Sequence, residues 1–314
     1  MNEKTLVICD KEARYAKGLG DNLSERNEFA FKVYAFTDGQ HVLDFVSTHK
    51  INVLLVDESF TQEERKCFQA EQNFVLTKES CKDLGENEVE IFKYQCADAI
   101  LAEVLETYLR KSKVTILKKF KKQSKKILAV YSPIHRVGKT AFAMALSREL
   151  AKEKKTLYLN LEGYSSLREE EKNLGDLLYY LRQEQEDLAT RLSMLTRKRE
   201  SLEYIAPMPM ITDLKEINVN EWKHLLQRIL EESVYENIVL DLDECIDGFL
   251  DILQLCDWVY MPVLEEEVSH QKVCGYEEAV IRLGKDEILR KTSRFIAKEN
   301  MEDYARKIIK EEQA

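Results

Sequence analysis

The stretch of sequence that decides the fold reads ILAVYSPIHRVGKT, residues 127–140. Its first five residues form an apolar run that predicts a buried strand, and the apolar segment 141–150 predicts a helix directly after the loop. A strand, a loop that ends in Gly-Lys-Thr and a helix are the context that a phosphate-binding P-loop requires. The first glycine of the complete P-loop pattern is replaced here by Pro133, so the motif alone is weak evidence. The prediction therefore depends on the position of the motif between a strand and a helix.

The loop and the start of the helix supply candidate ligands for a nucleotide. Backbone N–H groups at the beginning of a helix bind phosphate. Lys139 is predicted to reach the β- and γ-phosphates, and Thr140 is predicted to bind Mg²⁺. The candidate nucleotide-binding residues are Arg136, Val137, Gly138, Lys139, Thr140 and Ala141.

Four more apolar runs continue the alternation of strands and helices after this loop, at 156–162, 202–205, 237–243 and 258–263. The amphipathic segment 220–230 predicts the helix that leads into the run 237–243. That run ends in acidic residues, the arrangement of a Walker B strand, so Asp241 is predicted to hold the Mg²⁺ shell opposite Thr140. The C-terminal part of the chain is therefore predicted to be a parallel α/β domain of the P-loop NTPase type.

The first 112 residues show the same alternation with shorter elements. Five β-like runs are separated by helical segments near 11–24, 39–48, 61–70 and 97–110. Such a pattern predicts a parallel sheet with helices on both faces, a doubly wound, flavodoxin-like domain. The whole chain is therefore predicted to be α/β with two doubly wound parallel sheets. The five runs are 5–9, 31–34, 53–56, 74–76 and 89–92.

Polar residues follow four of these N-terminal strands, and ligands of doubly wound domains bind at the carboxyl ends of strands. They resemble the site of response-regulator receiver domains, in which an aspartate is phosphorylated beside Mg²⁺. Lys11 stands where that family has a second acid and would repel the metal. A pseudo-receiver used for docking or dimerisation is therefore favoured over a phospho-acceptor at Asp57. The receiver-like residues are Asp10, Asp57, Thr77 and Lys93.

The order of motifs over 127–265 resembles the MinD/ParA group of deviant Walker ATPases, most closely the pilus-assembly branch of the CpaE type. That branch joins a receiver-like domain to the ATPase. The resemblance implies that Lys139, Thr140 and Asp241 act on phosphate and Mg²⁺, and that Glu162 orients the attacking water. The second, signature lysine of the family corresponds to Ile134 here, and Arg136 is the cation in the same loop that could replace it.

Length and charge indicate how the chain is divided into domains. The 314 residues predict two domains, and the net charge of −10 argues against a polyanion-binding protein. Residues 110–126 contain nine Lys or Arg and no acid. We predict a receiver-like domain at 1–112, a basic linker at 113–125 and an ATPase domain at 126–314. Binding of anionic lipid or nucleic acid by the linker is the alternative to a connector role.

Other features predict the compartment. The seven cysteines show no C-x-x-C spacing, which argues against zinc and redox motifs. The N-terminus lacks the pattern of a signal peptide, and no apolar run approaches the ~20 residues of a spanning helix. A cytoplasmic protein is expected.

The sequence thus predicts an ATP-binding regulatory or positioning protein that uses ATP and Mg²⁺ and hydrolyses ATP slowly or not at all. Its expected partners are proteins of a pilus or secretion system, and a homodimer is left open. DNA binding is not indicated, and membrane contact would be peripheral. Two alternatives stay open: a non-catalytic two-domain scaffold, and a response-regulator-like effector that acts through protein contacts.

Overall fold

The computed structural model describes residues 4–24, 31–79, 83–111, 125–167, 172–183, 188–297 and 300–312. The chain divides into two compact units, residues 1–120 and 121–314. Residues 113–124 of the predicted basic linker lie outside the described residues, so its role as a connector stays a prediction.

The N-terminal unit contains one parallel five-stranded sheet with the order β2-β1-β3-β4-β5. This is the flavodoxin-like order that the alternation of elements predicts. All five residues of the central strand β3 are buried, which is why that strand reads as a continuous apolar run. The strands are β1 (Lys4–Cys9), β2 (Phe31–Phe36), β3 (Val53–Asp57), β4 (Gln72–Thr77) and β5 (Glu88–Phe92). The helices are α1 (Ala13–Ser24), α2 (Gly39–Val46), α3 (Gln62–Cys67) and α4 (Ala97–Lys111).

The C-terminal unit contains a seven-stranded sheet with the order β12-β11-β6-β10-β7-β9-β8. Its strands are parallel except β8, which runs antiparallel to β9 at one edge. Strand β6, which leads into the P-loop, lies between β10 and β11 in the middle of the sheet. The strands are β6 (Lys126–Val130), β7 (Thr156–Leu161), β8 (Thr196–Arg199), β9 (Leu202–Ile205), β10 (Asn237–Leu242), β11 (Trp258–Val263) and β12 (Thr292–Ile296).

Nine helices are described in the C-terminal unit over the described ranges between 125 and 312. Helix α9 begins at a capping box formed by Asn218 and Glu221, and it buries Trp222 completely. The helices are α5 (Lys139–Leu150), α6 (Leu174–Arg182), α7 (Leu188–Leu195), α8 (Ile211–Glu216), α9 (Val219–Glu232), α10 (Phe249–Leu255), α11 (Glu267–Arg282), α12 (Glu287–Arg290) and α13 (Met301–Glu312).

Strand β8 is not predicted from the sequence, because its residues are mostly charged. The C-terminal helix α13 packs against α5 through an aromatic cluster, in which the Phe295 ring lies 4.5 Å from Phe142 and 4.6 Å from Tyr304. Within the described parts of the chain, no helix has the length and apolar character needed to cross a membrane.

Candidate functional site

The P-loop joins the end of β6 to the start of α5 and has an unusual backbone. Arg136 has φ 58° and Gly138 has φ 83°, both in the left-handed region. Only glycine adopts that region without steric cost, so Gly138 suits the last position before the helix. The start of the loop contains a local hydrogen bond, in which the backbone N–H of Ile134 donates to the Ser132 hydroxyl at 3.2 Å.

The first turn of α5 presents unused hydrogen-bond donors. The backbone N–H groups of Gly138, Lys139, Thr140 and Ala141 donate to no acceptor among the described residues, and Gly138 caps the helix without a side-chain bond. Unsatisfied N–H groups and the positive end of the helix dipole together favour an anion at such a position. The sequence prediction of a phosphate-binding helix start therefore fits the local geometry.

The structure brings Lys139, Thr140 and Glu162 together. The Thr140 hydroxyl donates to Glu162 Oε2 at 2.8 Å, and Lys139 Nζ lies 3.8 Å from Glu162 Oε1. Lys139 is only 7% exposed, so its ammonium group has limited contact with water. Glu162 follows β7, the neighbour of β10, and this placement puts it beside the start of α5.

Asp241 lies near the carboxyl end of β10 and is completely buried. Its Oδ2 accepts hydrogen bonds from the Tyr158 hydroxyl at 2.9 Å and from Asn160 Nδ2 at 3.0 Å. Its Oδ1 is buried and has no hydrogen-bond partner among the described residues. Burial first, and then the negative charge of Glu162, raise the pKa of Asp241 above its ordinary value. A buried carboxylate with a free oxygen is a group that a nearby cation would stabilise.

The residues fit a magnesium ion. Thr140 offers a hydroxyl and Asp241 a carboxylate oxygen, which are the hard oxygen donors that Mg²⁺ prefers. No group of three or more His, Cys, Asp or Glu side chains in the described ranges has the arrangement of a metal site. A magnesium ion here would therefore complete its shell with water and phosphate oxygens.

Other predicted residues of the loop contribute differently. Val137 is buried, whereas Arg136 and Ala141 are exposed. Ile134, at the position of the signature lysine, is buried against the core and places no charge in the loop. His135 Nε2 lies 3.9 Å from Glu244 Oε1, a contact that sequence reasoning did not anticipate.

Sequence reasoning also missed the two residues that hold Asp241. Tyr158 and Asn160 belong to β7, and Asn160 lies beside Asp241 in the register between β7 and β10. The signal that could have found them is a pair of polar residues two positions apart in an otherwise apolar strand, because such residues share one face of the sheet.

The receiver-like site is organised around Lys93, which is completely buried. Its Nζ lies 2.7 Å from Asp10 Oδ2, 2.8 Å from Asp57 Oδ2 and 2.9 Å from Glu12 Oε1. The structure therefore brings three of the four predicted receiver-like residues together. The fourth, Thr77, is buried at the end of β4, and its hydroxyl donates to the Ile91 carbonyl at 3.5 Å.

Burial and the contacts with Lys93 shift the pKa values of this cluster in opposite directions. Burial raises the pKa of Asp10 above its ordinary value despite the bond to Lys93. Burial also acts against ionisation of Asp57, but the hydrogen bonds from Lys93 and Ser59 and the charge of Lys93 together outweigh it and leave the Asp57 pKa lowered. Glu12 is an acid that the sequence pattern did not single out. It lies two positions after Asp10 and supplies a carboxylate on the same side.

Lys11 does not enter this cluster. Its Nζ donates to the Ser59 carbonyl at 3.2 Å and lies 4.7 Å above the Phe60 ring. The cation that contacts the acids is Lys93, which occupies the space between Asp10 and Asp57.

The two sheets and their strand-end residues define the class of the molecule. It is an α/β chain in which a receiver-like unit is followed by a unit with the fold of P-loop NTPases. Comparison with known proteins agrees for the first unit: the family described as TadZ-like, receiver domain, matches residues 2–109. This match confirms the predicted receiver-like character of that unit.

Solved structures similar to this chain include proteins of plasmid partition. A plasmid partition protein from Borrelia burgdorferi is 19% identical, with a TM-score of 0.43 over 60% of this chain and 86% of that one. A ParA family ATPase from Chlorobium tepidum is 14% identical, with a TM-score of 0.45 over 59% of this chain and 81% of that one. No curated protein sequence matches the chain significantly.

Proposed function

We propose that this protein is an ATP-binding regulatory or positioning protein of pilus assembly that hydrolyses ATP slowly or not at all. The observation that supports it most directly is the start of α5, where four backbone N–H groups beside Lys139 and Thr140 have no acceptor among the described residues. A phosphate group can accept hydrogen bonds from such donors, and Lys139 supplies a positive charge beside them.

The residues of the site have separate roles in this proposal. The N–H groups of α5 bind phosphate oxygens, and Lys139 neutralises their charge. Thr140 and Asp241 would hold Mg²⁺, which would offset the negative charge of the phosphates. Glu162 would orient the attacking water, and its carboxylate lies beside both Lys139 and Thr140.

Slow hydrolysis follows from a missing cation. Ile134 is apolar and buried where the resembled ATPases have a second lysine, so it offers no charge to the transition state. Removing one electrostatic contact of this kind costs about 3–4 kcal/mol, or a factor of about 10² to 10³ in rate. Between Pro133 and Gly138, Arg136 is the side chain with a permanent positive charge, and it is exposed.

The pilus context is supported by the TadZ-like receiver match, since TadZ is a pilus protein of the CpaE type. Within this proposal the receiver-like domain covers 1–112, the basic linker 113–125 and the ATPase domain 126–314. The protein acts in the cytoplasm, and its partners are proteins of the pilus or a related secretion system.

Calorimetric titration of the full chain with Mg·ATP tests the proposal. We expect binding by the wild type and at least about tenfold weaker binding by Lys139→Ala, because the variant loses the cation beside the phosphate. Lys152→Ala is the matched control, since Lys152 is an exposed lysine just after the same helix and should not alter binding. Absence of ATP binding by the wild type contradicts the proposal.

A non-catalytic scaffold is the second candidate, and the ion cluster around Lys93 favours it for the receiver-like unit. The Lys93 ammonium group pairs with both Asp10 and Asp57 and offsets part of their negative charge, so the cluster is held together by contacts within the chain. Incubation with acetyl phosphate followed by intact mass measurement should then show no added phosphoryl group. A phosphoryl adduct that disappears in Asp57→Asn would instead support a response-regulator-like effector.

A further inference from the structure

Two polar side chains of β7, Tyr158 and Asn160, contact Asp241 from the neighbouring strand. The parallel register of β7 and β10 sets Asn160 beside Asp241, and Tyr158 lies two positions earlier on the same face of the sheet. All three side chains are buried, with at most 1% of each exposed. Polar groups at this depth need partners, so their arrangement is strongly constrained.

The three side chains form one hydrogen-bond network. Asn160 Nδ2 donates to Asp241 Oδ2 and to the Tyr158 hydroxyl, both at 3.0 Å, and the Tyr158 hydroxyl donates to the same Asp241 oxygen at 2.9 Å. The other end of Asn160 faces the second acid, because its Oδ1 accepts the backbone N–H of Glu162 at 3.3 Å. Asn160 thus connects the Asp241 carboxylate to the backbone of Glu162.

The choice of donors has a chemical consequence. Both donors bind Oδ2, and Oδ1 is left without a hydrogen-bond partner among the described residues. Rotation of the carboxylate would break both bonds, so its two oxygens keep separate roles. Both donors are also neutral, so the negative charge of Asp241 is not already cancelled by a bonded cation.

We propose that Tyr158 and Asn160 are positioning residues, which fix Asp241 through Oδ2 and keep Oδ1 available for the divalent cation that accompanies the nucleotide. The inference rests on the proposed nucleotide site. Outer partners of metal ligands contribute about 10- to 100-fold to metal affinity, because they fix the orientation of the ligand. Loss of the Tyr158 hydroxyl should therefore weaken the cation-dependent part of nucleotide binding and leave the cation-independent part intact.

The experiment compares the affinity of the full chain for a non-hydrolysable ATP analogue in EDTA and in excess Mg²⁺. For the wild type we expect Mg²⁺ to tighten binding. Tyr158→Phe keeps the ring and removes one hydroxyl, and it should lose about tenfold of that gain with unchanged affinity in EDTA. Asn160→Leu, of similar volume, should lose the gain as well.

Tyr276→Phe is the matched control, because the Tyr276 hydroxyl is buried in the same unit and has no hydrogen-bond partner among the described residues. It should behave as the wild type. Thermal unfolding midpoints of all variants show whether each one is folded. An equal Mg²⁺-dependent gain in the wild type, Tyr158→Phe and Asn160→Leu overturns the inference alone, whereas no analogue binding by the wild type overturns the proposed function together with it.

Discussion

Replacement of Lys93 by Met is expected to destabilise the N-terminal unit severely. Lys93 is completely buried, and its ammonium group bonds to two carboxylates that are themselves buried, Asp10 and Asp57. Methionine has a similar length but no charge, so Lys93→Met leaves these carboxylates without their cation. Removing one partner of a buried ion pair costs about 3–5 kcal/mol, because the remaining charge is left without compensation.

Lys78→Met is the matched control for this substitution. Lys78 bonds to Glu12 at 3.1 Å, and both side chains are 49% exposed. Exposed pairs contribute at most about 1 kcal/mol, so this variant should be nearly as stable as the wild type. Two lysines that share one carboxylate partner therefore differ only in burial and in the number of acids that they contact.

Hydrogen–deuterium exchange resolves the effect within the full chain, since each unit contributes its own peptides. A loss of about 3–5 kcal/mol accelerates exchange of the core amides of β1 and β3 by a factor of about 10² to about 4 × 10³, at ~1.4 kcal/mol per factor of ten. Peptides of β10 serve as the internal reference. Equal, small changes in Lys93→Met and Lys78→Met would refute the assignment of a buried ion cluster.

The pH dependence of this difference has a definite sign. Burial lowers the pKa of Lys93, but its hydrogen bonds to Asp10, Asp57 and Glu12 outweigh burial and raise it above the ordinary 10.5. The pairing of Lys93 therefore contributes fully below pH 10.5 and is lost only as the pH rises through the higher folded value. The Asp57 pKa lies below the ordinary 3.8, so its contribution is present above that value and is lost as the pH falls through the folded one.

Two further predictions concern backbone strain and acid stability. Gly138→Ala should destabilise the C-terminal unit by about 1–2 kcal/mol, because residue 138 has φ 83°, in the left-handed region that alanine adopts only with strain. Gly275→Ala, in an open position of helix α11, should instead stabilise that unit by about 0.5–1 kcal/mol. Urea unfolding followed by tryptophan fluorescence measures the change in the free energy of unfolding for both variants. Changes of the same sign would contradict the strain argument. Burial raises the pKa of Glu88, but the hydrogen bonds from Arg65 and the Gly85 backbone, together with the charge of Arg65, outweigh it and hold the pKa below 4.5. The stability that these contacts contribute is therefore present above pH 4.5 and lost as the pH falls through the folded value. Glu88→Gln should therefore lower the unfolding midpoint at neutral pH and flatten its decline on acidification, and parallel pH profiles for variant and wild type would disprove this.

Much of the fold could be predicted because the signals are local. Parallel strands buried on both faces read as short apolar runs, and the segments between them show the spacing of amphipathic helices. Most of the strands correspond to such runs, and polar residues at their carboxyl ends mark both candidate sites. Strand β8 was not predicted, because a mostly charged strand of four residues at a sheet edge is not a short apolar run.

The candidate sites were predictable only in part. Lys139, Thr140 and Asp241 belong to motifs with fixed local spacing, so the order of residues along the chain is enough to select them. Tyr158 and Asn160 belong to no such motif. They matter because β7 lies beside β10, a pairing between residues 81 positions apart for Asn160 and Asp241. Glu12 is a similar case, since its contact with Lys93 joins the ends of β1 and β5.

The sequence by itself determined most of the element types, the two α/β sheets and the position of the Gly-Lys-Thr loop between a strand and a helix, because periodicity and glycine geometry act over a few neighbouring residues. The tertiary structure alone decided which strands are neighbours, that Lys93 lies among three acids, and that one oxygen of Asp241 accepts two hydrogen bonds while the other has no partner among the described residues. These features depend on contacts between residues that are far apart in the sequence, and the periodicity within one segment does not specify which other segment lies beside it.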